Sequence, residues 1–103
     1  MIVRVSYRGT AWEEWEEYVE IYNDGEQRVQ LQGWSLRDDE RHVFIFPRFI
    51  LGPGEYCRVY TNLYSPNHCG LSYNHRGPIW ENDGDCAYLK DPDGLLIDTF
   101  CYY

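Results

Sequence analysis

The sequence predicts an all-β domain in which short strands pack as a sandwich or a barrel. Turn-forming residues recur along the whole chain, in groups such as Asn23-Asp24-Gly25, Gly52-Pro53-Gly54 and Asp91-Pro92-Asp93-Gly94. Between these groups lie short runs rich in β-branched and aromatic residues, and helical periodicity is not sustained in any of them. Short strands at this spacing are typical of sandwiches and barrels.

Eight segments have the composition and the alternation of β-strands. The sixth shows it most clearly, because Cys57, Val59 and Thr61 alternate with Tyr56, Arg58 and Tyr60. We expect Cys57 and its companions to face the core, since Arg58 belongs in solvent. A core position suits Cys57 either in a disulfide between sheets or as a buried thiol. The predicted strands are 2–8, 17–22, 28–32, 34–37, 42–46, 55–61, 86–90 and 95–102.

The segment 11–22 fits two patterns. Trp12, Trp15, Val19 and Tyr22 have helical spacing, with glutamates around them. As a strand, its second half places Val19 and Ile21 on one face. The β-branched pair and the following Asn-Asp-Gly turn favour a strand that ends near Tyr22. We therefore predict a loop or a single turn at residues 9–15.

Length and charge limit the possible functions. The chain has 103 residues, 44% of them apolar and 17% aromatic, which suits one domain spanning residues 1–103. Its net charge of −8 argues against general nucleic-acid binding and against docking on anionic lipid. No apolar run reaches the roughly 20 residues that span a bilayer. The N-terminal "MIVRVSYRG" has no apolar signal region, so we expect a domain cut from a longer protein.

Four cysteines, Cys57, Cys69, Cys86 and Cys101, contain no CxxC pair. Their spacing argues against a zinc ribbon. His68, Cys69 and His75 lie close in sequence and offer three zinc ligands, although their spacing matches no common zinc motif. The other interpretations are two disulfides, in any of three connectivities, or four reduced thiols. The even number favours disulfides.

The acidic stretch "WENDGDCAYLKDPDG" permits a calcium site or two tight turns. With Gly94 at the sixth position of an EF-hand, Leu89 and Phe100 would occupy ligand positions, which excludes that motif. A looser calcium site would use Asp83, Asp85, Asp91 and Asp93. Turn chemistry explains the same residues through Gly, Pro and Asx hydrogen bonds, and the strand pattern of Ala87 and Leu89 favours it.

Six motifs in a fixed order resemble the lamin tail domain, the immunoglobulin-like β-sandwich of nuclear lamins that also occurs in bacterial proteins. They are "EYVEIYNDG", "VQLQGWSLRDD", "HVFIFP", "LGPGEYCRVYTN", "IWENDGDCAYLKDPDG" and "LLIDTFCYY", and they extend from about residue 2 to the C-terminus. The resemblance implies an immunoglobulin-like antiparallel β-sandwich with Greek-key connections, about seven to nine strands and no catalytic residues. It implies core tryptophans at Trp34 and Trp80, and a turn that includes Asn82, Gly84 and Asp85.

The resemblance carries over the fold and leaves the specific function open. The chain has no coiled-coil heptads like those of lamin rods, and its cysteines and aromatic residues look more like the bacterial members. These resemble accessory modules of secreted or surface proteins. An extracellular or cell-surface location is therefore expected. No cofactor is implied.

Three classes of function remain to be compared. Enzymatic activity is not expected, because the adjacent pairs Glu13/Glu14 and Glu16/Glu17 are typical of a solvated face and a small sandwich rarely encloses a catalytic cleft. Carbohydrate binding is the alternative prediction, with exposed rings as stacking surfaces. The leading prediction is a non-enzymatic protein-interaction, adhesion or targeting module, whose partner is a protein or a cell-envelope component. The candidate binding residues are Trp12, Trp15, Tyr18, Tyr64 and Tyr73.

Overall fold

The computed structural model describes residues 1–7, 17–81 and 83–103. These residues form ten strands and a 3-10 helix at Pro66–His68. The loop or turn predicted for residues 9–15 lies outside the described residues. The strands are β1 (Ile2–Ser6), β2 (Tyr18–Tyr22), β3 (Val29–Gln30), β4 (Ser35–Arg37), β5 (Val43–Ile45), β6 (Ile50–Leu51), β7 (Tyr56–Tyr60), β8 (Leu71–Ser72), β9 (Asp85–Lys90) and β10 (Leu96–Tyr102).

The strands form two four-stranded sheets and a short ribbon. One sheet has the order β1-β2-β7-β8, the other has the order β10-β9-β4-β5, and β3 pairs with β6. The chain passes from the first sheet to the second after β2, returns at β7 and crosses again to β9, as Greek-key connections do. This arrangement confirms the predicted immunoglobulin-like sandwich.

The structure differs from the prediction at two short strands. Strands β6 and β8 have two residues each, too few for alternation to show in the sequence. With them the described residues contain ten strands instead of seven to nine. Strand β8 pairs parallel with β7, through Val59 with Leu71 and Tyr60 with Ser72, so one edge of an otherwise antiparallel sandwich is mixed.

The core follows from the predicted alternation. Val19 and Ile21 of β2 and Cys57 and Val59 of β7 are fully buried, whereas Arg58 between the last two is not. The opposite sheet contributes its own alternating set of buried side chains. Trp80 packs between the sheets with 1% of its surface exposed, which removes a large apolar area from water. The buried residues of the second sheet and its connections include Leu36, Phe46, Ala87 and Leu89.

Trp34 occupies a less central position than the resemblance implies. It lies one residue before β4, is half-buried and packs against the core from its margin. The peptide N–H of Trp34 bonds to the carbonyl of Leu31 at 2.9 Å, which holds this residue in a local turn. Its carbonyl accepts the N–H of Phe46 at 2.9 Å, so the pairing with the β5 segment begins at this residue.

Two glycines in the acidic stretch occupy the left-handed region that favours glycine. Gly94 has φ 84° in the turn between β9 and β10, where its N–H bonds to the carbonyl of Asp91 at 3.0 Å. Gly84 has φ 144°, and a side chain at this position would lie 3.1 Å from the ring of Tyr103. Both glycines therefore serve the turns that the sequence predicts on either side of β9.

The four cysteines form two disulfides. Cys57 in β7 is joined to Cys69 in the following loop, with 5.6 Å between the Cα atoms. Cys86 and Cys101 are directly opposite each other in β9 and β10, with 4.1 Å between the Cα atoms. Cys57 occupies the core, but its partner belongs to the connection between β7 and β8 of the same sheet. Neither disulfide links the two sheets, in contrast to the inter-sheet bond considered for Cys57.

Candidate binding surface

The outer face of β1, β2 and β7 gathers tyrosine and arginine side chains. Because alternate residues of a strand point to opposite faces, the residues between the buried ones point outward. The register then aligns them in three rows: Tyr22 lies opposite Tyr56, Glu20 lies between Arg4 and Arg58, and Tyr18 lies opposite Tyr60. We call this surface the tyrosine face, and it consists of Arg4, Tyr18, Glu20, Tyr22, Tyr56, Arg58 and Tyr60.

Arg58 lies at the centre of the tyrosine face and is held by its neighbours. Its guanidinium carbon is 4.3 Å from the ring centroid of Tyr18, and Nη1 donates to the hydroxyl of Tyr60 at 3.2 Å. Its Nε lies 3.6 Å from a carboxylate oxygen of Glu20. Partial burial lowers the pKa of Arg58, but the contacts with Tyr60, Tyr18 and Glu20 outweigh it and the pKa lies above its usual value. A charged, oriented guanidinium is therefore available to a partner.

The exposed part of the tyrosine face is aromatic. Tyr22 and Tyr56 are side by side and keep 39% and 46% of their surfaces exposed, whereas Tyr60 is buried. His68 of the 3-10 helix packs beside Tyr56, with 6.3 Å between the ring centroids. A shallow groove of about 220 Å³ runs next to Tyr18 along β1 and β2. The surface combines apolar rings, phenolic hydroxyls and a fixed cation.

Of the five aromatic residues predicted to bind ligand, the structure describes three, Tyr18, Tyr64 and Tyr73. Tyr18 belongs to the tyrosine face, and Tyr64 stands in the loop after β7 with 74% of its surface exposed. Trp12 and Trp15 lie outside the described residues.

Tyr73 packs against the core and does not form the exposed stacking ring that the sequence suggested. Its hydroxyl donates to the carbonyl of Leu36 at 3.2 Å, and its ring contacts Phe44 and Trp80. Burial raises the pKa of this hydroxyl far above its usual value. The residue follows the two-residue strand β8, whose presence turns its side chain between the sheets. The sequence gives no sign of that strand.

The four aspartates considered for calcium do not converge. Asp83 and Asp85 lie before β9 and at its start, whereas Asp91 and Asp93 follow its end. Six strand residues separate the two pairs by about 20 Å. A single cation therefore cannot contact carboxylates from both ends, so the four-carboxylate site is excluded by the length of β9.

Asp85 and Asp91 instead accept hydrogen bonds from backbone N–H groups. Asp85 is 2% exposed, and its carboxylate accepts from Cys86 at 2.9 Å, Asp39 at 3.1 Å and Glu81 at 3.3 Å. Asp91 accepts from Asp93 and Leu95, both at 2.9 Å, across the β9–β10 turn. These bonds are the Asx turn chemistry that the sequence favoured for Asp91. For Asp85 they extend to a segment 46 residues away.

The zinc ligands considered near the 3-10 helix do not form a site. The sulfur of Cys69 is bonded to Cys57 and supplies no thiolate. His68 Nδ1 pairs with the hydroxyl of Ser65 at 2.8 Å, and His75 Nδ1 faces the carbonyl of Gly77 at 3.2 Å. Among the described residues, no three His, Cys, Asp or Glu side chains are close enough to hold a metal ion.

Glu17 is buried, so the interpretation of the glutamate pairs as a solvated face is wrong at this position. Only 2% of its surface is exposed. Its Oε1 accepts hydrogen bonds from the Thr61 hydroxyl at 2.9 Å and from the N–H groups of Ile79 at 2.6 Å and Trp80 at 3.1 Å. This carboxylate joins β2 to the end of β7 and to the connection before β9. Glu13, Glu14 and Glu16 lie outside the described residues.

Asp38 and His42 form a further pair that the sequence did not reveal, in which the carboxylate is enclosed and the imidazole is partly exposed. Asp38 accepts from His42 Nδ1 at 2.5 Å and from the N–H groups of Glu40 and His42 across the β4–β5 turn. The ring of His42 meets the edge of His75, with 4.6 Å between the centroids. These bonds fix the turn, and the Asp38 carboxylate is fully enclosed. The carboxylate of Asp38 is therefore not accessible to a ligand.

Family membership is decided by a match over the full length of the chain. The model of the lamin tail domain family matches residues 1–103. The chain belongs to the lamin tail domain family. A comparison with curated proteins found no significant match. Lamin tail domains are immunoglobulin-like interaction modules of a non-catalytic family, and the sandwich of this lamin tail domain has the fold of that family. Its described part includes no helix long and apolar enough to cross a membrane.

Proposed function

We propose that this lamin tail domain is a protein-binding module that docks its partner on the tyrosine face. The observation that carries the proposal is the fixed guanidinium of Arg58, stacked on Tyr18 and bordered by the exposed rings of Tyr22 and Tyr56. Tyrosine and arginine are enriched among the residues that dominate binding energy at protein interfaces. A cation oriented before binding loses little conformational freedom when a partner carboxylate or carbonyl approaches it.

Carbohydrate binding is a second candidate on the same surface. The exposed rings of Tyr22 and Tyr56 support it, because sugars stack on aromatic faces. Against it, the carboxylate of Glu20, which could accept a hydrogen bond from a sugar hydroxyl, is already paired with Arg58. A protein partner needs only the exposed surface and the charge, so we favour it.

We further propose that the domain is an accessory part of a larger bacterial-type protein that acts outside the cytoplasm, in adhesion or targeting. The support for this location is chemical. All four cysteines are paired, and disulfides persist in oxidising compartments. The net charge of −8 favours encounter with partners that have basic surfaces and disfavours nucleic acid.

The test places a photo-crosslinking amino acid on the tyrosine face of the full-length protein in its own cells. Substitution of Tyr22 or of Tyr56 is expected to give protein adducts of defined mass, because both side chains reach solvent. The matched control is the same substitution at Tyr103, which is 93% exposed and lies outside the face. Adducts at the first two positions that disappear with Arg58→Ala support the proposal.

A glycan array with the purified domain separates the two candidates. Binding of a glycan that is lost in Tyr22→Ser and Tyr56→Ser, and retained in Tyr103→Ser, would favour carbohydrate over protein. Equal adducts at all three crosslinking positions, with no effect of Arg58→Ala, would contradict the tyrosine face as the docking surface. Both serine variants are expected to fold, since neither tyrosine belongs to the core.

A further inference from the structure

The free edge of the second sheet lies at β5, whereas the tyrosine face belongs to the first sheet. In the second sheet β5 pairs with β4 alone. Two hydrogen bonds show which residues of the two strands are bonded pairs. The N–H of Phe46 donates to the carbonyl of Trp34 at 2.9 Å, and the N–H of Asp38 donates to the carbonyl of His42 at 3.3 Å. Bonded and non-bonded pairs alternate in an antiparallel ladder. The N–H and C=O groups of Val43 and Ile45 therefore point away from β4, toward the open edge.

The side chains at this edge are apolar and exposed. Val43 has 41% of its surface exposed, and Ile45 has 56% exposed. Edge strands are commonly protected by charged side chains within the strand, by proline or by a covering element. Strand β5 carries no charge, and Pro47 follows only after it ends. No described residue forms a hydrogen bond with Val43 or Ile45 at the open side.

Two other sheet edges contact each other. The N–H of Val3, in edge strand β1, donates to the carboxylate of Asp98 in edge strand β10 at 2.8 Å. The ring of Tyr7, just after β1, stacks on Tyr102 of β10 with 3.8 Å between the centroids. These contacts protect β1 and β10. Strand β5 contacts the segment after β8 only through the ring of Phe44, on the inner side of the sheet, and no described residue bonds to its outward backbone groups. The remaining sheet edge, β8, is only two residues long. Strand β5 is therefore the better acceptor of an added strand.

Charge selects the occupant of this edge. The segment Arg41–Arg48 contains two arginines and no acidic residue, within a chain whose net charge is −8. Arg37 lies opposite Val43 in β4 and adds a third cation. Three acidic residues precede Arg41, and their carboxylates are directed away from the open edge. Asp38 is enclosed and bonded to His42. Asp39 accepts from the hydroxyl of Tyr88 in β9, and Glu40 lies beside Glu81. A second copy of the chain, paired through β5, would bring these arginines against themselves. An acidic partner would neutralise them.

We propose that β5 accepts an extended peptide segment whose centre is apolar and whose ends are acidic. The peptide backbone would bond to the outward N–H and C=O groups of Val43 and Ile45. Its apolar side chains would cover those of the same two residues, and its acidic ends would meet Arg41 and Arg48. This site rests on the proposed function only in requiring a protein partner, and it does not involve the tyrosine face.

The test is a titration of the 15N-labelled domain with a synthetic nine-residue peptide. Its five central positions alternate valine and threonine, and two acidic residues stand at each end. The amide signals of Val43 and Ile45 are expected to shift most and to gain protection from hydrogen exchange. The same peptide with lysines at its ends should bind about tenfold more weakly, as should the acidic peptide at high salt.

Two variants at Ile45 separate binding from folding. Ile45→Pro removes an outward N–H and leaves the bonds to β4, which Phe44 and Phe46 make, so edge pairing should persist. Ile45→Glu keeps the backbone and places on the edge an anion that repels the acidic peptide. Each should weaken the acidic peptide about tenfold, since one hydrogen bond or the apolar contact is lost. Leu96→Glu, at a comparably exposed position of β10, is the matched control and should have no effect.

Three results would overturn the inference. They are absence of binding at millimolar peptide, shifts that map away from Val43 and Ile45, and equal affinity for the lysine-ended peptide. Self-association of the free domain that Ile45→Glu abolishes would assign the edge to a second copy instead. Tyr56→Ser should leave peptide binding unchanged, so failure at this edge remains distinct from failure at the tyrosine face.

Discussion

Asp85 stabilises the fold by pairing buried backbone donors, and this role yields the first prediction. Three N–H groups, from Cys86, Asp39 and Glu81, donate to its enclosed carboxylate. Asp85→Ala leaves them without this acceptor, and an unpaired buried donor costs about 1–3 kcal/mol. We expect the free energy of unfolding to fall by about 3 kcal/mol, measured by urea denaturation followed by fluorescence.

Asp83→Ala is the matched control for that measurement. Asp83 is exposed and belongs to the same acidic stretch, so its replacement should change the free energy of unfolding by no more than about 0.5 kcal/mol. A loss at Asp83 as large as that at Asp85 would indicate that negative charge, and not the three N–H bonds, is what the stretch contributes. Calcium at millimolar concentration should leave the urea denaturation curve of the unsubstituted domain unchanged, because Asp83 and Asp85 lie too far from Asp91 and Asp93 to share one cation.

The burial of some single residues follows from the local sequence pattern, and the burial of others does not. Alternation locates Arg58 on the outer face and Cys57 in the core, since each depends only on neighbours in its own strand. The burial of Glu17 depends on Thr61 and on the N–H groups of Ile79 and Trp80, more than 40 residues away. The local pattern contains no information about such distant donors, so the adjacent glutamates of this segment indicate a solvated face.

The strands and turns were predicted where they are long enough to show their pattern. The alternation of β2, β7 and β9 gave their buried faces, and the turns around β9 followed from glycine and aspartate. The two-residue strands β6 and β8 contain no complete alternation, so their presence and the parallel pairing of β8 arise only from tertiary contacts. The tyrosine face could be anticipated from "YVEIY" and "YCRVY", but its register could not.

The disulfides give a prediction at the scale of the strand pair. Peptide mapping of the protein, digested without reduction, should recover linked peptides that contain Cys57 with Cys69 and Cys86 with Cys101. Unfolding without reductant should expose no reactive thiol. Four thiols that react before reduction, or a different pairing, would contradict both the connectivity and the proposed oxidising compartment.

Loss of each disulfide should destabilise the domain by a similar amount. The bonds close loops with sequence separations of 12 and 15, and the chain-entropy model assigns about 3 kcal/mol to a loop of this size. The paired variant Cys86→Ala with Cys101→Ser tests the second bond. Cys101 is exposed, so this pair removes the cross-link with less disturbance of the core than replacement of the fully buried Cys57. Denaturant midpoints measured with and without reductant separate the two contributions.

The whole molecule is closed by a contact between its first and last strands. The carboxylate of Asp98 in β10 accepts the N–H of Val3 in β1, and the guanidinium of Arg4 lies 5.3 Å from the ring centroid of Phe100. These strands belong to different sheets, so the contact joins the sheets along one side of the sandwich. On the other side, the edge at β5 remains open. The proposed peptide site and the protected edges are thus consequences of the same arrangement.

Asp98→Ala tests the importance of this closure. The variant leaves the N–H of Val3 without its acceptor, so the free energy of unfolding should fall by about 1–2 kcal/mol. Asp98→Asn keeps a carbonyl oxygen at the same place and should lose less. Asp93→Ala, in the exposed β9–β10 turn, is the control and should change stability by no more than about 0.5 kcal/mol. Hydrogen exchange should show faster exchange at Val3 in Asp98→Ala alone. Unchanged exchange there would mean that hydrophobic packing closes this side of the sandwich without the hydrogen bond.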